Sequence, residues 1–416
     1  MNLRSILILA GLVLGLGVGA LLGDSATGIT VVAVARPIGT LWLNALTMTV
    51  VPLVFSLLVT GIVAAGREAG GSRIGIRALI WFAILLVAAC LLSVVVTTAL
   101  LDVWPVPASA AALRTGADAA PAIGSTSDWL TGFIPTNPIK AASDTAMTPL
   151  VVFALLFGFA ISRIEPELQR QLDLVFKAIV QAMLVIVQWI LWLAPIGVCA
   201  LAIGVGAKMG AGAAGALGHY VIVIAIACIA TALACYVAGP LLGRVSPLAF
   251  ARAVLPAQVV ALSTQSSLAS LPAMIDAANA LGVRKAEAGV VLPLAVSIFR
   301  AASAAANVGV AIYLAHLLDI PLGAGVLLLG ACVAAVVSLA AVGLPAQVSF
   351  FATIGPVCLA MGVPIGILPL LLAVETFPDI FRTVGNVTAD LAVARIVGSR
   401  QPRSDGQDAV LEAGRA

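Results

Sequence analysis

Apolar residues run through this chain in long, nearly unbroken blocks, roughly over 6–23, 37–65, 77–104, 147–163, 171–206, 216–243, 287–316 and 366–397. A run of about 17–25 apolar residues is what a helix needs to cross the ~30 Å hydrocarbon layer of a bilayer. Alternation of apolar and polar residues over about ten positions, the mark of a lipid-facing barrel strand, is not the pattern. The blocks therefore predict an all-α polytopic membrane protein with eight transmembrane helices. Two further stretches, 250–282 and 324–365, are too interrupted at their centres for plain spans. Ser263-Thr264-Gln265-Ser266-Ser267 with Pro272 breaks the first, and Gly343-Leu344-Pro345-Ala346-Gln347 breaks the second. Each precedes a helix with a polar stripe. Paired interruptions of this kind point to two re-entrant helical hairpins, inverted repeats and a transporter site near the midplane.

The last block departs from its surroundings. At helical spacing, Glu375, Asp379, Arg382, Thr383, Asn386 and Asp390 share one face of it. An ionisable group at bilayer depth costs about 2.5–3.5 kcal/mol on the most lenient insertion scale, so this face must meet partners, water or a ligand. A structural alternative is an Asp379–Arg382 pair at i, i+3 that only holds the helix in its bundle.

Composition sharpens the picture. The chain has 416 residues, 62% hydrophobic and 9% charged, where soluble domains carry about a quarter charged residues. Its six cysteines stand singly and read as packing residues; no metal site, cofactor or nucleic-acid partner is expected. With a cytoplasmic N-terminus, eight spans and two hairpins place Arg67, Arg73, Arg163, Arg170, Lys177 and Arg284 inside. Only Arg114, Lys140 and Lys208 fall clearly outside, which satisfies the positive-inside rule and puts the C-terminus inside too. The segment 105–146 reads as an extracytoplasmic loop, and 399–416 as a disordered cytoplasmic tail.

Several motifs carry a family resemblance. They are Met48-Thr49-Val50-Val51-Pro52-Leu53-Val54-Phe55, Ile134-Pro135-Thr136-Asn137-Pro138, Ala194-Pro195-Ile196-Gly197, Thr264-Gln265-Ser266-Ser267-Leu268-Ala269-Ser270-Leu271-Pro272, and the run from Asp379 to Asp390. Together they resemble the dicarboxylate/amino acid:cation symporters, the glutamate transporter homologues. The resemblance implies a homotrimer in the cytoplasmic (inner) membrane, in contact with lipid. It implies a static scaffold over 1–70 and 147–215, with transport-domain parts at 71–104 and 216–398. It also implies that Arg382 clamps a substrate carboxylate, Asp379 takes an amino group, and Thr383 and Asn386 hydrogen-bond the substrate. The hairpin tips would add Gln265, Ser266, Ser267 and Pro345. A guanidinium fork suits a carboxylate in the way this role requires.

The seventh span departs from the family. Where relatives carry Asn-Met-Asp-Gly-Thr, whose oxygens bind sodium, this chain has Phe299-Arg300-Ala301-Ala302-Ser303. The cation carboxylate is replaced by Ala301, and a hard monovalent cation gains no ligand from Phe, Arg or Ala side chains. Arg300 is expected either to face the substrate as a fixed cation or to pair with Glu375 or Asp390. Coupling to Na⁺ is expected to be weak or absent. Coupling to H⁺ through Glu375 or Asp390, with Asn386 and Ser303 as further coupling residues, is the alternative, as is an uncoupled facilitator or exchanger of di- or tricarboxylates. The leading expectation is an elevator-type secondary transporter of acidic amino acids or small dicarboxylates. A non-transporting sensor and an intramembrane serine enzyme are remote alternatives, the latter because no HExxH or GxSxG pattern is present.

Overall fold

A computed structural model describes residues 3–23, 25–71, 73–108, 110, 134–209, 212–340 and 346–398. Among them the chain is helical, without strands: α1 (Leu3–Leu22), α2 (Ala26–Thr47), α3 (Val50–Gly71), α4 (Arg73–Val103), α5 (Pro138–Ser143), α6 (Met147–Ile161), α7 (Pro166–Trp192), α8 (Ala194–Met209), α9 (Gly212–Gly243), α10 (Pro247–Thr264), α11 (Leu271–Ala280), α12 (Lys285–Ile298), α13 (Ala301–Leu317), α14 (Ala324–Ala340), α15 (Ala346–Ala360), α16 (Leu368–Val374) and α17 (Thr376–Val397). Six stretches among the described residues are long and apolar enough to cross a membrane by themselves: Ala26–Ala64, α4, α7, α9, α10 and Lys285–Leu317. The protein is a multi-pass membrane protein.

Four predicted blocks are each broken or displaced. The second begins at Ala26 rather than 37 and is interrupted at Met48-Thr49, where Pro52 lacks the N–H that would bond the Met48 carbonyl. The fifth splits at Leu193, since Pro195 cannot continue the helix from α7. The seventh unwinds at Phe299 and Arg300, both of them outside helical φ/ψ. The eighth is interrupted at Glu375, because Pro378 has no N–H for the Val374 carbonyl. Hydropathy does not locate the first three of these breaks, since apolar residues stand on either side; the fourth falls where the polar face of α17 begins.

Small residues set the closest contacts. Gly11, Gly15 and Gly19 form a stripe on α1 that lies against the α8 backbone. A Cβ at these positions would come within 2.4, 2.4 and 2.2 Å of the Pro195, Cys199 and Ile203 carbonyl oxygens. Close backbone approach at small residues is how helices associate where lipid removes the hydrophobic drive. α2 also packs on α8, while α3 packs on α6 and α7. Buried Asp173 of α7 bridges Arg67 of α3 at 2.8 Å and Lys177 at 2.9 Å.

The rest of the chain gathers around α13 and α17. Nearly all of their residues are buried, as expected of helices at the centre of a bundle rather than at its lipid face. α4 and α9 cover α13, and α9, α10 and α13 cover α17. α10 and α11 form a hairpin whose tip, 265–270, turns back toward the start of α17. α14 and α15 pack on each other and on α13 and α3. The tip between them, with the predicted site residue Pro345, lies outside the described residues, as do 111–133 of the predicted loop and the tail 399–416.

Candidate substrate site

The break before α17 carries the first part of the site. Glu375 sits at that break, fully buried, and its Oε1 lies 2.5 Å from Nη2 of Arg382. Tyr220 of α9 donates its hydroxyl to Glu375 Oε2 at 2.9 Å. That carboxylate engages Nη2 of Arg382, whereas Nε of this buried guanidinium has no hydrogen-bond acceptor among the described residues. The sequence alternative in which Asp379 is the structural partner of Arg382 is therefore corrected: the ion pair is with Glu375. Asp379, also buried, lies within electrostatic reach of both Arg382 and Arg300. Thr383 donates its hydroxyl to the Asp379 carbonyl at 2.8 Å, which leaves its oxygen lone pairs as acceptors only.

The break between α12 and α13 carries the second part. Unwinding at Phe299 and Arg300 strips the first N–H groups of α13 of intrahelical acceptors, and Arg300 supplies no side-chain cap. Asn386 of α17 replaces that cap from another helix. Its Oδ1 accepts from Ala302 N at 3.0 Å and Ser303 N at 3.1 Å, and its Nδ2 donates to Ser303 Oγ at 2.9 Å. Asn386 and Ser303 are thus bound to each other. Gly385 permits the approach, since a Cβ there would meet the Ala302 methyl at 2.6 Å. Phe299 stacks on Phe82 of α4 with centroids 4.6 Å apart.

Arg300 makes no ion pair with Glu375 or Asp390, which corrects that expected alternative. Its Nε is buried without an acceptor, and Asp379 and Asp390 are the carboxylates that act on it. Both carboxylate oxygens of Asp390 are buried with no hydrogen-bond partner among the described residues.

At the hairpin tip, Gln265 ends α10 in the left-handed region (φ 52°) and its amide reaches the Thr376 carbonyl at 3.5 Å. Ser266 is committed locally: its Oγ accepts from Ala269 N, and its carbonyl accepts from Ser270 Oγ. Ser267 is buried beside it. The structure thus brings Gln265 to the N-terminal end of α17, near Glu375.

The sequence reading missed Tyr220. A tyrosine in an apolar span needs a hydroxyl partner when buried, and that was the available signal.

The chain that builds this polar α17, the unwound α12–α13 joint and the hairpin turning onto α17 matches a known transporter family over nearly its whole length. The sodium:dicarboxylate symporter family profile covers residues 5–400. The chain belongs to this family. Among relatives, a C4-dicarboxylate transport protein 1 of Pseudomonas paraeruginosa is 29% identical, with 92% of this chain and 87% of the relative covered. A C4-dicarboxylate transport protein of Deinococcus radiodurans is 28% identical over 93% of this chain and 88% of its own length. The proton/glutamate-aspartate symporter of Escherichia coli is 28% identical over 93% and 91%. As a sodium:dicarboxylate symporter family member the protein is a transporter and not an enzyme.

Proposed function

We propose that this family member is an elevator-type secondary transporter that carries acidic amino acids or small dicarboxylates across the cytoplasmic membrane with weak or absent sodium coupling. The observation that carries this reading is the buried face of α17. There Arg382 keeps its Nε without an acceptor among the described residues, beside Asp379, in a bundle lined mostly by apolar side chains. A substrate carboxylate would complete the Arg382 fork, and Asp379 would take an ammonium group. In this reading the protein is a homotrimer with both termini cytoplasmic. The scaffold comes from 1–70 and 147–215, and the moving domain from 71–104 and 216–398.

Weak sodium coupling is supported by the α12–α13 break. Phe299 is stacked on Phe82, Ala301 and Ala302 offer no side-chain oxygen, and the Asn386 oxygen already accepts from two backbone N–H groups. Arg300 adds a positive charge at the same break, so a sodium ion would meet repulsion there. A second reading, a proton-coupled or uncoupled exchanger of di- or tricarboxylates, is favoured by the unpartnered Arg300 Nε, a further donor for a carboxylate.

Uptake of labelled aspartate, glutamate and succinate into proteoliposomes, with sodium and pH gradients imposed separately, tests these readings. Accumulation without a sodium gradient is expected, with affinity changing by less than about twofold between sodium and choline buffers. A tenfold linkage, about 1.4 kcal/mol, would refute weak coupling. Absence of uptake and binding for all three substrates would refute the substrate class.

A further inference from the structure

Asn307 of α13 takes no part in the site described so far, yet it is buried with both ends of its amide unused. Its relative exposure is 1%, and neither Oδ1 nor Nδ2 has a hydrogen-bond partner among the described residues. Arg382 Nε is in the same condition. Buried polar groups are paired almost everywhere in folded proteins, because an unpaired one bears its full desolvation penalty. Two such groups at one place call for an occupant.

The register of α13 against α17 brings them to one place. Near the start of α13, Asn386 Nδ2 donates to Ser303 Oγ at 2.9 Å. Further along, Tyr220 of α9 touches both helices' ends: its ring lies 5.4 Å from that of Tyr313, and its hydroxyl reaches Glu375. α13 therefore advances from Ser303 to Tyr313 while α17 runs back from Asn386 to Glu375, an antiparallel pair. Asn307 stands one turn beyond Ser303 on the same face of α13, and Arg382 one turn before Asn386 on the same face of α17. The two side chains are thus level with each other on facing helices.

We propose that Asn307 is a substrate-binding residue whose amide donates a second hydrogen bond to the carboxylate that Arg382 holds through Nε. This inference rests on the reading of Arg382 as the carboxylate anchor and adds a residue to that site. An ionised carboxylate only accepts, and its two oxygens take one N–H each from Nε and Nδ2. Glu375 engages Nη2, so the Nε edge is the side of the guanidinium left for a ligand. A metal cation does not suit the place, since the adjacent guanidinium repels it. The amide supplies its donor without adding a charge to the buried group of Glu375, Asp379 and Arg382, all of them inside the bundle.

The test is calorimetric titration of the full-length protein in nanodiscs with succinate, aspartate and asparagine, paired with thermal unfolding. Asn307→Leu removes the donor at nearly constant volume. Affinity for succinate and aspartate should fall about tenfold, the worth of one hydrogen bond to a charged group. The unfolding temperature should hold or rise, because an apolar group replaces an unpaired buried amide. Asn307→Asp presents acceptors only, so the ratio of aspartate to asparagine affinity should drop at least about tenfold, the asparagine amide still having an N–H to donate. Unchanged acidic-substrate affinity in Asn307→Leu would overturn the inference, leave water as the partner of the amide, and leave the proposed function standing. Affinity lost only together with a lowered unfolding temperature would mark a packing residue and overturn it as well. Equal losses for aspartate and asparagine in Asn307→Asp would do the same, and should that variant fail to fold, Asn307→Leu decides alone. Failure of the unmodified protein to bind any acidic substrate would instead sink the proposed function.

Discussion

At the scale of single residues, Arg382 and its neighbours carry the sharpest consequences. Arg382→Ala leaves Glu375 buried without its counter-charge and removes the proposed carboxylate anchor. Breaking a buried pair from one side costs about 3–5 kcal/mol. Binding of every acidic substrate should disappear from calorimetric titrations, and the protein should melt at lower temperature. Asp379→Ala separates substrate classes: aspartate affinity should fall more than succinate affinity, because only aspartate carries an ammonium group. Equal losses would refute the amine assignment. Arg300→Met removes a cation that makes no ion pair among the described residues but attracts buried Asp379 and Asp390, so it should lower the unfolding temperature modestly. Acidic-substrate affinity should also drop, and tricarboxylate affinity should drop most if the exchanger reading holds.

Among elements, the joint between α13 and α17 decides whether the site exists. Asn386 caps α13 across a tertiary contact, satisfying two N–H groups that no local residue reaches. Asn386→Ala should orphan both donors at about 1–3 kcal/mol, a loss readable as a lower unfolding temperature in detergent. Asn386→Asp keeps an acceptor oxygen for both N–H groups while losing the Nδ2 donor to Ser303 Oγ, and should recover part of that stability, although it adds a charge on the helix that carries Asp390. A substrate contact made only by the Asn386 side chain predicts the opposite ranking, with affinity lost and stability kept. Gly385→Leu should be more damaging than either, since even a Cβ overlaps the Ala302 methyl.

For the whole molecule, the proposed orientation makes a labelling prediction. In a cysteine-free background, a cysteine at Ile139 on α5 should react with an impermeant reagent only from outside, and one at Ile164 after α6 only from inside. Both positions are exposed and flank the apolar helix α6, so reaction from the same side would overturn the topology.

The sequence alone determined the class of solvent this chain folds in and the address of its polar groups. Long apolar blocks require helices because a bilayer satisfies no backbone hydrogen bonds, and that argument needs no partner residues. The period of α17 likewise put Glu375, Asp379, Arg382, Thr383, Asn386 and Asp390 on one face, since spacing along a helix is a local property. Which of these groups pair was not local. Arg382 chose Glu375 over the nearer Asp379 because the turn at Glu375 and the Tyr220 hydroxyl from α9 fix that carboxylate in place. Asn386 went to the α13 N-terminus because unwinding at Phe299 and Arg300 exposed donors there. The breaks at Met48-Thr49 and Leu193 have a local cause in Pro52 and Pro195, whereas no proline follows the one at Phe299-Arg300. At Phe299-Arg300 only the tertiary structure decides where the backbone leaves its helix, since the group that satisfies the freed N–H groups comes from α17.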